Sequence, residues 1–149
     1  MIIYCHLPNN KLYSGSGIDG TSGLEGEKIT KRVEKIKDSV KKVGFMNPLS
    51  CGNEKDDGTY RVNRGMKCLR AAIELDIEDV PCIVYCREDQ KNIPQGQQIE
   101  KRELQKFHKS KIERVVWGKP EYFAVEPVDA WPYNDLEKWL KDKYGTTFN

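Results

Sequence analysis

The sequence is poor in the residues that most catalytic and metal chemistry draws on. Only two histidines, His6 and His108, occur in 149 residues, and spacing assigns neither a partner. The five cysteines, Cys5, Cys51, Cys68, Cys82 and Cys86, are odd in number and scattered, which argues against a disulfide framework. Cys82 and Cys86 fall in "VPCIVYC", which reads as a strand, so both would point one way about 13 Å apart. Zn–S bonds of about 2.3 Å do not let one zinc ion take both, and buried, reduced thiols are the expectation. The clustered carboxylates or metal set of a nuclease are also missing; Asp56 and Asp57 read as turn-shaping residues.

Long apolar runs are absent too. No stretch approaches the roughly 20 residues of a membrane span, and the start, "MIIYCHLPNN", lacks the basic n-region of a signal peptide. The expectation is a cytoplasmic protein without membrane contact. The net charge of +2 is too small by itself to imply a nucleic-acid partner. No internal repeats appear.

What is present fits one domain with a terminal extension. Ile2 to Leu7 reads as a strand closed by "PNN". Ser14 to Gly26, "SGSGIDGTSGLEG", follows as a glycine-rich loop. It contains G-x-G-x-x-G at Gly15, Gly17 and Gly20. The dinucleotide fingerprint needs a strand directly before and a helix directly after; here Pro8, Asn9 and Asn10 intervene and more glycines follow, so a mobile loop or lid is the reading. "EKITKRVEKIKDSVKKVG" is a helix with Val33, Ile36, Val40 and Val43 on one stripe and Gly44 as its stop. Lys31, Arg32, Lys35, Lys37, Lys41 and Lys42 crowd its remaining surface; that face is either simply solvated or meets a polyanion.

"FMNPLSC" reads as a strand, joined through "NEKDDG" to the strand "TYRVN", with Asp57-Gly58 as the hairpin signal. The helix "MKCLRAAIELD" follows, with Leu69, Ala72, Ile73 and Leu75 as expected core contacts, and "IEDVPCIVYC" gives another strand. Ile99 to Trp117 reads as a second basic helix, with Leu104, Phe107 and Val115 apolar. Beyond it lies an aromatic tail. Asn134 and Glu137 make a capping-box-like start there. Leu136, Trp139, Leu140 and Tyr144 then line one helical face, suited to packing on the core or on a partner. The boundaries are 1–116 for the core and 117–149 for the extension.

The most informative stretch is "TYRVNRGMKCLRAA", Thr59 to Ala72, where a strand gives way to a helix at Gly65. Arg64 precedes the glycine, and Lys67 and Arg70 follow. Such a turn exposes backbone N–H groups at a helix start, where anions bind. The plainer alternative is that Gly65 makes the turn and the cations face water.

The order from Lys31 to Tyr85 is helix, Gly44, strand with Pro48, hairpin, strand, Gly65, helix, strand. It resembles the core of the ParB/sulfiredoxin-like superfamily. Ser39, Gly44, Pro48, Gly58, Tyr60, Val62, Gly65, Ala71, Leu75, Val80 and Pro81 fall in order on that family's pattern. The resemblance implies an α+β fold: a small mixed sheet with packed helices, plus a helical C-terminal extension. It also implies a nucleotide site. The phosphates of CTP or ATP, with Mg2+, would lie at Arg64, Gly65, Met66, Lys67, Cys68 and Arg70. "IEKREL", Ile99 to Leu104, loosely echoes a later phosphate motif of ParB, which would give Glu100 a metal and Arg102 a phosphate. DNA contact through the basic helices 31–42 and 101–114, a homodimer, and an origin in a phage or mobile element are compatible with the same resemblance.

The departures are specific. Cys68 stands where the family has arginine, and Met66 stands where sulfiredoxins place their catalytic cysteine. Sulfinic-acid reduction is therefore not expected. Two classes stay open: a nucleotide-binding switch or weak NTPase acting with DNA, and a binding module for DNA or protein without catalysis.

Overall fold

A computed structural model describes residues 1–14, 26–43, 45, 48–114 and 133–145. Six strands form one mixed sheet: β1 (Ile2–Pro8), β2 (Leu12–Ser14), β3 (Leu49–Gly52), β4 (Tyr60–Arg64), β5 (Asp79–Tyr85) and β6 (Gln97–Ile99). Their order across the sheet is β2-β4-β3-β5-β1-β6. The pairs β2/β4 and β3/β5 are parallel, and β3/β4, β1/β5 and β1/β6 are antiparallel. The helices are α1 (Gly26–Val43), α2 (Met66–Glu74), α3 (Lys101–Arg114) and α4 (Tyr133–Tyr144). This is the expected mixed α+β architecture.

Alternation along the strands gives the sheet two apolar faces. Ile3, Cys5 and Leu7 of β1 and Val80, Cys82 and Val84 of β5 belong to the core with α1 and α2. Val33, Ile36 and Val40 of α1, spaced three and four apart, meet that face along with Leu69, Ala71 and Ala72 of α2. Ile2 and Tyr4 of β1 and Ile83 of β5 point the other way. They join Ile99, Leu104 and Phe107 and, from α4, Leu136 and Leu140. The tail helix therefore packs back onto the sheet. Its docking is reinforced where Lys143 pairs with Glu103 of α3.

Several expectations need correction. Ile73 is 56% exposed and is not a core contact; Leu69, Ala71 and Ala72 take that role. Tyr144 is also exposed, so the buried face of α4 is shorter than its apolar spacing implies. Ile99 ends a strand rather than opening a helix, because β6 pairs Ile99 with Ile2 across the edge of β1. Cys86 lies one residue beyond β5. It is buried in the same core as Cys5, Cys51 and Cys82. All five cysteines are free thiols. The segment 15–25 of the glycine loop, Gly44, and residues 115–132 with Val115 lie outside the described residues.

Candidate functional site

The turn between β4 and α2 is built by one glycine. Gly65 caps α2 with φ 97° and ψ 25°, a left-handed conformation that residues with a Cβ adopt at a cost. A Cβ there would also lie 3.0 Å from Leu49 Cγ on β3. The first backbone bond of the helix runs from Leu69 N to Gly65 O at 2.9 Å. The N–H groups of Met66, Lys67 and Cys68 thus precede the intrahelical ladder, and no side chain caps this end.

The charge on α2 is reversed with respect to its dipole. The first turn holds no acidic residue, and the last turn holds no basic one. Lys67 stands at the positive end of the helix and Glu74 at the negative end, each opposing the macrodipole. Among the described residues neither Arg64 nor Lys67 forms an ion pair.

Neighbouring strands converge on the same place. β2 runs parallel to β4 with Ser14 opposite Val62, so both strands end beside the turn. Ser14 Oγ donates to Met66 Sδ at 3.1 Å, tying the end of β2 to the first residue of α2. Ser50 of β3 pairs with Arg64, and the register slips between Ser50 and Cys51 at that point.

The remaining candidates behave differently. Met66 and Cys68 are half-buried and pack on the core beneath α2. Burial pushes the Cys68 thiol up to about 11, with Lys67 lowering it only in part, so it is a poor nucleophile at neutral pH. Arg70 is turned away from the glycine: its Nε lies 3.1 Å from Glu74 Oε2, one turn further along α2. Lys37 of α1 reaches the same carboxylate at 3.7 Å and Glu34 at 3.1 Å.

Glu100 and Arg102 lie elsewhere. They follow β6, four strand spacings from β4 and hence about 19 Å across the sheet. They also sit at the other end of the strands, since Ile2, beside Ile99, aligns with Tyr85 and Gly52. Glu100 opens α3, its carbonyl accepting from Glu103 N and Leu104 N at 2.9 and 3.0 Å. With Tyr85, Cys86 and Lys101 it lines a cleft of about 570 Å³. The fold does not bring this pair to the Gly65 turn.

Asp56 and Asp57 shape loops. Asp56 has a positive φ of 52° and accepts from Lys91 N and Asn92 N at 2.9 and 2.7 Å, while Asp57 accepts from Thr59 N at 2.9 Å. Among the described residues no group of three or more His, Cys, Asp or Glu is placed to hold a metal ion, and no helix is long and apolar enough to cross a membrane. Sequence reasoning missed β2 and β6, each three residues long, and so missed Ser14 beside the turn. The only signal for it was the short polar alternation of "LYS" after the "PNN" turn.

No protein-family model and no curated protein matches the chain. Among solved structures it is similar to sulfiredoxin from Arabidopsis thaliana, with 22% identity, a TM-score of 0.45, and coverage of 58% of this chain and 86% of that one. It is also similar to the C-terminally truncated chromosome-partitioning protein ParB from Caulobacter crescentus, complexed with CTP-gamma-S. That match has 17% identity and a TM-score of 0.45, and covers 97% of this chain and 66% of the ParB chain, just under two thirds of its length. The element order and the six-stranded mixed sheet are those of an α+β fold.

Proposed function

We propose that this protein binds a nucleotide, CTP or ATP, through its phosphates at the Gly65 turn. The observation that carries the reading is the reversed charge of α2: an uncapped N-terminus with Lys67 in its first turn and no acidic residue there. Without an anion, Lys67 opposes the helix dipole. With one, the N–H groups of residues 66–68, Lys67 and Arg64 all act in the same direction. The glycine allows the close backbone approach that a phosphate needs. Mg2+ would come with the phosphates, as it usually does at nucleotide sites. Cys68 supplies neither the missing arginine's charge nor a thiolate, so the turn favours binding over catalysis.

The test is thermal stabilisation by CTP and ATP with Mg2+. The reading expects a rise in Tm with at least one of them, as ligand bound only to the folded state requires, and expects Lys67→Ala to remove it. The absence of a shift with every nucleoside triphosphate would overturn it.

A second reading is contact with DNA phosphates along α1, favoured by the exposed positions of Lys31, Arg32, Lys35 and Lys41. It expects affinity for duplex DNA that falls steeply with salt. No binding at low salt would reject it.

A further inference from the structure

We infer that Glu74 withholds Arg70 from the anion site at the Gly65 turn, so that a bound nucleotide must compete with this carboxylate for the guanidinium. The inference rests on the nucleotide reading above and concerns the regulation of that site. Arg70 follows Lys67 by three residues and so shares its side of α2. Side chains on a helix tilt toward its N-terminus, which would lean Arg70 toward the turn. Instead Arg70 Nε is drawn the other way, to Glu74 Oε2 at 3.1 Å.

Helix energetics do not account for that choice. An acid four residues after a base is the weaker order for such a pair, and Glu74 stands at the negative end of α2. What fixes it is α1. Lys37 Nζ lies 3.7 Å from Glu74 Oε1 and is itself held by Glu34 at 3.1 Å. The carboxylate is thus anchored across the helix pair, and Arg70 is anchored through it. Phosphate oxygens at the turn offer Arg70 a competing partner of higher charge, and the exchange needs only side-chain rotation. Glu74 keeps Lys37 when Arg70 leaves, so the α1–α2 contact survives the change.

The experiment is calorimetric titration of CTP and ATP, each with Mg2+, into the full chain and into Glu74→Gln, Glu74→Ala and the double variant Glu74→Ala/Arg70→Ala. Melting curves confirm that each variant is folded. The inference expects Glu74→Gln and Glu74→Ala to tighten binding about two- to fivefold, the range set by releasing a partly exposed ion pair, and expects the double variant to lose that gain. Unchanged or weaker binding in both single variants, or a gain that persists in the double variant, would overturn the inference alone. No binding by the wild type or any variant would overturn the nucleotide reading and the inference with it.

Discussion

Leu49 occupies the space that a side chain at position 65 would need: a Cβ on Gly65 would stand 3.0 Å from Leu49 Cγ and 3.6 Å from its Cα. The turn is therefore held by backbone conformation and by close packing at once. Gly65→Ala should destabilise the protein by about 2 kcal/mol, combining the left-handed penalty with a tight contact. Gly58→Ala is the control. Gly58 also has a positive φ of 89°, but no atom lies within 4 Å of its would-be Cβ, and the cost there should be about 1 kcal/mol. Urea unfolding of the two variants checks the difference; equal costs would show that Leu49 yields freely.

The second apolar face predicts that α4 is part of the cooperative fold. Leu136 and Leu140 are 1% and 0% exposed and join Phe107 and Ile83. Leu136→Ala or Leu140→Ala should each cost about 2–4 kcal/mol. A transition in which the helix melts separately, without loss of global stability, would contradict this packing.

Stability should fall at both ends of the pH scale. Cys5 is raised from 9.0 to about 12 and Cys68 from 9.0 to about 11, mainly by burial. A group with a raised folded pKa stabilises fully below its unfolded value and loses that contribution as pH rises through the folded one, so the alkaline decline begins near pH 9. Glu103 is lowered chiefly by its bond from Lys143, and Asp56 by bonds from Lys91 N and Asn92 N. Their contributions are present above the ordinary carboxylate range and vanish as pH falls through it. Chemical denaturation between pH 3 and pH 11 measures both limbs; a flat profile above pH 9 would count against the buried thiols.

The same burial makes the thiols slow to react. At pH 8 a disulfide reagent should modify none of the five cysteines quickly in the folded protein and all of them in denaturant. Fast modification of Cys68, identified by mass spectrometry, would contradict its packing beneath α2.

How much of this was legible in the sequence depends on the range of the interactions. The three- and four-residue spacing of Val33, Ile36 and Val40 and the glycine between β4 and α2 are local signals, and both elements form where that spacing predicts. Ile73 looked apolar enough for the core, but Ala71 and Ala72 fill the α1–α2 contact and leave it in solvent. β2 and β6 are three residues long and exist only because β4 and β1 offer them an edge, which no local pattern announces. The candidate site was half legible for the same reason. Arg64 to Arg70 are contiguous and their placement follows from one turn, whereas Glu100 and Arg102 could join them only through the sheet order, which carries them to the opposite edge. Arg70 stands among the expected phosphate contacts in the sequence; Glu74, four residues on, is a local partner for it, whereas the Lys37 contact to that same carboxylate comes only from the packing of α1 on α2.

The most direct test of the central claim is an amide NMR titration of the full chain with CTP, and separately with ATP, in the presence of Mg2+. Phosphate binding at the turn predicts saturable shifts concentrated at Gly65, Met66, Lys67 and Cys68, with the N–H signals of this first turn moving together. Saturable shifts confined to Tyr85, Glu100 and Lys101 around the far cleft, or no shifts with either nucleotide, would contradict it.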